Sequence, residues 1–218
     1  MRFAEAAWLG ARAWRGIGHL GPRGPKDGPP ALVIPGFIAN DRTTMELRRA
    51  MAAGGWRTYP WGMGWNKGAT PDMIERLVAQ LAAIDDPRPV LLVGWSLGGI
   101  YAREVARAVP ERVRAVITLA SPFSGDPHAN NVWRLYEWIA KHKVDDPPIP
   151  YNSTKPPVPT LAIWSRKDGI VAVSAARGLE GESDEEVEFH CSHMAFGVSR
   201  RVAKHVVREI HSFLKKRI

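Results

Sequence analysis

The sequence predicts an α/β protein with a doubly wound, mostly parallel sheet of about six strands flanked by helices. Three observations carry that expectation. Short apolar runs of strand length alternate with segments whose apolar residues recur every three to four positions. Glycine and proline fall between these segments, as punctuation, and no repeat of fixed period or low-complexity run interrupts them. The 218 residues, 45% hydrophobic and 24% charged, are enough for one sizeable core and short for two domains. Strands alternating with helices build crossover units with helices on both faces of the sheet. Ligands of such sheets bind outside the carboxyl ends of the strands, so function is sought there.

Taken in order, residues 3–17 read as a short amphipathic helix with Phe3, Ala7, Trp14 and Ile17 on one side. "GPRGPKDGPP" (21–30) is a turn-rich linker. "ALVIPGF" (31–37) is an apolar run stopped by Pro-Gly, hence a buried strand. "TTMELRRAMAAGG" (43–55) has helical periodicity and ends at glycines. "WRTYPW" (56–61) is the next strand, and "WGMGWNKG" (61–68) a simple glycine loop at the same sheet end. In "TPDMIERLVAQLAAI" (70–84), Thr70 caps a helix, Pro71 takes its first position, and Met73, Leu77, Leu81 and Ile84 share a face.

"PVLLVGW" (89–95) is a strand buried on both faces, and "LGGIYAREVARAVP" a helix stopped at Pro110. "VRAVITLAS" (113–121), "PTLAIWS" (159–165) and "EEVEFHC" (185–191) complete the strands. "NNVWRLYEWIAKH" (130–142) is one helix, with Val132, Leu135, Tyr136 and Ile139 apolar beside Trp133 and Trp138. It lies in a 122–157 segment expected to be a cap-like insertion in a single domain over 1–218. "SRRVAKHVVREIHSFL" (199–214) closes the chain with Val202, Val206, Ile210, Phe213 and Leu214 inward.

Composition limits function. Cys191 is the one cysteine, so no internal disulfide forms, which fits a reducing, cytoplasmic location. Glu5, Arg12 and Arg15 break the N-terminal apolar stretch, so a signal peptide of ordinary form is not expected there. No window reaches the roughly 18 apolar residues of a membrane span. The formal charge of +8 raises the question of nucleic acid or an anionic membrane surface. No nucleic-acid motif accompanies it, so a solvated basic face, or peripheral contact with an anionic membrane, is expected rather than nucleic acid.

Chemistry concentrates in Gly94-Trp95-Ser96-Leu97-Gly98, a G-x-S-x-G pattern set between a strand and a helix. Such a turn strains the serine backbone and lifts its hydroxyl above the sheet, and side chains at 94 and 98 would collide with neighbours. The bland alternative is a tight turn with an idle serine. A serine hydroxyl is a poor nucleophile unless a base takes its proton and a third group holds that base. In this architecture the chain order is serine, acid, histidine. Asp168 follows the strand 159–165, and His193 follows the strand 185–191. Asp126, Asp145 and Asp146 are rivals for the acid, but they lie too early. His190, inside the strand, is expected to be a core or supporting imidazole, and Cys191 a small buried residue. His128 and His142 are expected to be exposed, with no carboxylate spaced for metal binding. An oxyanion hole needs two N–H donors. Leu97 supplies one, and Phe37, in the loop that Gly36 allows to turn, is the candidate for the other.

In PGF (35–37), GWSLGG (94–99), WSRKDGIV (164–171) and SHMAF (192–196), residues 31–214 resemble an α/β-hydrolase, most of all small bacterial lipase- or esterase-like members. The resemblance implies Ser96 as nucleophile, Asp168 as acid and His193 as base. It implies cleavage of carboxylic (acyl) esters through an acyl-enzyme, with no cofactor and no metal, on a small-molecule or lipid-like substrate. A thioesterase or acyltransferase on the same triad, or a non-catalytic member attached to a membrane surface, are the alternatives. Two departures stand out. Pro35-Gly36 replaces the His-Gly frequent at the oxyanion loop, and no strand precedes 31–37, so the sheet is a reduced one.

Overall fold

The structure is a computed structural model that describes residues 21–126, 133–140, 142, 143 and 145–217. The helix expected over 3–17 lies outside them, as do His128 and Val132. Six strands are seen: β1 (Pro30–Ile34), β2 (Arg57–Tyr59), β3 (Val90–Trp95), β4 (Val113–Leu119), β5 (Thr160–Ser165) and β6 (Glu185–Phe189). They form one sheet in the order β2-β1-β3-β4-β5-β6, and every pairing is parallel. β1, β3 and β5 are buried at each position. That burial is why they read as continuous apolar runs rather than as alternation.

The helices are α1 (Met45–Ala53), α2 (Met73–Ala82), α3 (Leu97–Ala108), α4 (Trp133–Ala140), α5 (Val173–Arg177), α6 (His193–Val198) and α7 (Arg200–Lys215). The two faces of the sheet separate by strand parity. Ala31, Val33, Leu91 and Val93 pack with Leu47, Met51, Val206, Ile210 and Phe213. Leu32, Ile34, Val90 and Leu92 pack with Leu77, Leu81, Tyr101 and Val105. α1 and α7 therefore cover one face, α2 and α3 the other. Right-handed crossovers require this, because the chain steps outward from β1 to β2, then reverses direction to β3 and beyond. The reversal leaves a crevice at the carboxyl ends of β1 and β3, where Ile34 pairs with Gly94.

Several boundaries differ from expectation for local reasons. Thr70 does not cap α2. The cap position is Asp72, and the Thr70 hydroxyl donates to its carboxylate at 2.6 Å instead of accepting a helix N–H. α3 ends at Ala108, before Pro110, which opens a 3-10 turn (Pro110–Arg112); Val109, at φ −140° and ψ 62°, has the non-helical backbone a following proline favours. β6 ends at Phe189, so His190 and Cys191 lie beyond it.

Candidate active site

Ser96 sits between β3 and α3 with φ 53° and ψ −123°, a left-handed backbone that L residues rarely adopt. The surroundings hold it there. Its N–H donates to Leu119 O at 2.8 Å, and its carbonyl accepts from Gly99 N at 2.9 Å. Its side chain makes no capping bond, so the hydroxyl is not spent on the helix that follows. Glycines make the turn possible. A Cβ on Gly94 would lie 2.3 Å from Gly98 O, and one on Gly98 would lie 2.4 Å from Ile34 O. Both obstacles are backbone and have no room to give.

Asp168 follows β5, and His193 opens α6 after β6. Asp168 Oδ2 and His193 Nδ1 are 2.7 Å apart, with side chains only 2% and 4% exposed. The other carboxylate oxygen accepts from Ile170 N (2.8 Å) and Val171 N (2.9 Å), which fixes the carboxylate plane. With Nδ1 engaged by the carboxylate, the Nε2 side of the imidazole is left for a hydroxyl. The His193 ring packs against the Trp95 ring at a centroid distance of 5.7 Å, one residue before Ser96. Ser165 ties the two turns together. Its hydroxyl donates to Cys191 O (2.7 Å) and accepts from Cys191 N (3.1 Å) and Lys167 N (3.1 Å). Burial, with the nearby Asp168 charge, pushes the Cys191 thiol up to about 12, so it stays a neutral thiol.

The loop after β1 lies directly over Ser96: a Cβ on Gly36 would be 3.0 Å from Ser96 Cβ. Among the described residues, the N–H groups of Phe37 and Leu97 have no protein acceptor. Phe37 and Ser96 open onto a cleft walled by Ile100, Tyr136, Ile149 and Tyr151. It offers about 90 Å³ to water-sized occupants, where one water takes roughly 10–15 Å³. Among the described residues, no charged side chain lines it. Burial raises the Tyr136 hydroxyl above its usual range and pushes that of Tyr151 to about 12, so both remain neutral. α4 closes one side, with Tyr136 edge-on to Phe37 at 5.0 Å between ring centres.

The rival residues fall elsewhere. Asp126, Asp145 and Asp146 are exposed. His190 is not in the core: its side chain is 72% exposed and 3.5 Å from Glu188, because the strand has already ended. His142 is not simply exposed either; its Nε2 lies 3.3 Å from the Tyr136 hydroxyl and 3.2 Å from Ala69 O. Among the described residues, no cluster of three or more His, Cys, Asp or Glu is arranged to hold a metal, and no helix is long and apolar enough to cross a membrane. The sequence reading named Tyr136 only as an apolar residue of the 130–142 helix, and it missed Ser165 and the buried Asn66. Each acts through residues distant in the chain, which no local pattern announces.

Known proteins bear on this geometry. A family model described as alpha/beta hydrolase fold matches residues 35–144. A pimeloyl-[acyl-carrier protein] methyl ester esterase of Salmonella heidelberg (strain SL476) is 40% identical over 60 residues. That stretch is 28% of this chain and 23% of the relative, so the chain matches less than a quarter of that relative's length. A lipase-esterase related protein from Clostridium acetobutylicum ATCC 824 superposes with TM-score 0.67 at 19% identity, over 89% of this chain and 98% of that one. Carboxylesterase CesB from Bacillus subtilis superposes with TM-score 0.61 at 16% identity, over 98% and 97% of the two chains. At these identities the structural likeness speaks to the fold.

Proposed function

The chain belongs to the alpha/beta hydrolase fold family, and on that premise we propose that it is a serine hydrolase cleaving carboxylic esters of uncharged, apolar acyl groups. The observation that carries the reading is the buried Asp168–His193 pair, 2.7 Å apart, whose imidazole packs on Trp95, the residue before a serine of strained backbone that lines an apolar cleft. In the proposed reaction Ser96 Oγ attacks the ester carbonyl carbon as its proton passes to His193 Nε2. The carbonyl oxygen becomes an oxyanion that accepts from Phe37 N–H and Leu97 N–H. Collapse breaks the bond to the alkoxide, which takes the proton from His193 and leaves. Water then repeats the steps on the acyl-enzyme and frees the acid. Asp168 holds the imidazole in the productive tautomer throughout. In this reading the described part of the 122–157 segment, α4 with Ile149 and Tyr151, is the cap that makes the acyl pocket.

The reading is tested by labelling with a fluorophosphonate and measuring intact mass. The wild-type chain is expected to gain one adduct and Ser96→Ala none, with hydrolysis of a 4-nitrophenyl ester lost in the variant and its melting temperature kept. A folded wild type that takes no adduct, or a Ser96→Ala variant with full turnover, would sink it.

A further inference from the structure

Asn66, inside the glycine-rich stretch 61–68, is only 1% exposed. It sits far along the chain from the β1 loop, yet it grips that loop on both sides of Phe37. Its side-chain Nδ2 donates to Pro35 O at 2.9 Å. Its carbonyl accepts from Ile38 N, and its N–H donates to Ala39 O, both at 2.8 Å. Ala39 N in turn donates to Gly36 O at 3.2 Å. A trans peptide is planar with its N–H opposite its C=O. Fixing Gly36 O by Ala39 therefore aims the Phe37 N–H the other way. The turn is costly to hold. Ile38 has φ 52°, and a β-branched residue is poorly tolerated there. The remaining atom of the amide, Oδ1, accepts from Gly68 N (3.2 Å) and from the Tyr101 hydroxyl (3.3 Å). Tyr101 stands on α3, the helix that begins after Ser96.

Resting on the reading of Phe37 as an oxyanion donor, we propose that the Asn66 side-chain amide is a positioning residue for the Phe37 N–H. It ties the oxyanion loop to the nucleophile's helix through one buried group. The loop that carries Asn66 has its own anchor. Asp41 accepts from Trp61 N (2.7 Å) and Gly62 N (3.0 Å), and the Trp61 ring stacks on Tyr101 with centroids 6.5 Å apart. Losing the Asn66 side chain thus frees Pro35 O, on the Phe37 side of the turn, while the main-chain bonds to Ile38 and Ala39 and the 61–62 end stay in place. An oxyanion donor acts in the transition state, so its displacement lowers kcat and leaves KM nearly unchanged.

The test uses Asn66→Ala and Asn66→Asp beside wild type and Ser96→Ala, each checked for folding by circular dichroism. A donor displaced by about 1 Å costs roughly 10²-fold. Asn66→Ala is expected to lower kcat on a 4-nitrophenyl ester by about 10- to 100-fold, with KM within about twofold. A trifluoromethyl ketone inhibitor, which forms the oxyanion on Ser96, should lose affinity by a similar factor. In Asn66→Asp an ionised carboxylate meets Pro35 O, whereas a protonated one donates to it. The ratio of Asn66→Asp to wild-type kcat/KM should therefore rise as pH falls, a response that a purely structural defect would not give. A folded Asn66→Ala with wild-type kcat and inhibitor affinity, or failure of both variants to fold, would overturn the proposal. If wild type is inert and Ser96 unlabelled, the hydrolase reading fails with it. If Ser96→Ala abolishes turnover and Asn66→Ala does not lower it, this inference alone falls.

Discussion

Asp168 divides its two oxygens between two tasks, one toward His193 and one toward the backbone of residues 170 and 171. Asp168→Asn keeps the shape but removes the acceptor that selects the imidazole tautomer. Ester hydrolysis is expected to fall about 10⁴-fold in kcat, the scale seen when such a carboxylate becomes an amide. Stopped assays against wild type check it, and a loss under tenfold would deny Asp168 the role. Cys191 behaves in the opposite way. Its thiol is lifted to about 12 by burial and by the Asp168 charge. At pH 8 it is protonated in the folded chain, and iodoacetamide should modify it far more slowly than in urea. Ser96, Asp168 and His193 were legible in the sequence as residues standing just past strands, one, three and four residues beyond the ends of β3, β5 and β6. His190, His142 and Asn66 were not. What decides them is where a strand stops or which distant loop a side chain reaches, and neither leaves a local trace.

At the scale of elements, β3, the elbow and α3 work as one unit. Gly98 faces the carbonyls of Ile34 and Pro35, at 2.4 and 2.7 Å from a Cβ placed on it. Gly98→Ala is expected to destabilise the fold by about 1–3 kcal/mol, as overpacking does, and to push the oxyanion loop aside. Urea melts and residual activity together report both effects. Midway along α3, Arg103 anchors the C-terminal part of the 122–157 segment. Arg103 is 1% exposed, and its Nη2 donates to Ser153 O (2.6 Å), Thr154 O (2.9 Å) and Glu182 O (3.1 Å). Arg103→Met removes all three bonds, the one to Glu182 O buried, and should cost about 1.5–3 kcal/mol, the worth of a hydrogen bond to a charged group. A thermal melt within a degree of wild type would contradict that. Among the described residues, β1, β3, β4, β5 and the longer helices were readable because apolar runs and helical periodicity survive in them. α5 and α6, of five and six residues, were not. Neither is long enough to repeat an apolar face, and both exist because of what they pack against.

At the scale of the whole molecule, the cleft and the charge point in different directions. The chain carries a formal +8, and Arg201, Lys204 and Arg208 are exposed along α7. The cleft beside Ser96 has an apolar wall and no charged side chain among the described residues. An acyl group bearing a carboxylate would lose its hydration there without gaining a partner. In a series of 4-nitrophenyl esters, uncharged short acyl groups should exceed carboxylate-bearing ones of equal length by more than about tenfold in kcat/KM; equal rates would place the acyl chain elsewhere. The constellation is also spread along the chain, from Phe37 through Ser96 to His193, and the sheet order brings these residues to one edge only when β6 has joined. That spread has a consequence in time. Ribosomes add roughly 5–20 residues per second, so the 97 positions from Ser96 to His193 take about 5–20 s to make. On the proposed mechanism, a growing chain holds its hydroxyl without its base through that interval, and it stays silent toward acyl groups until His193 has been made and β6 has joined the sheet.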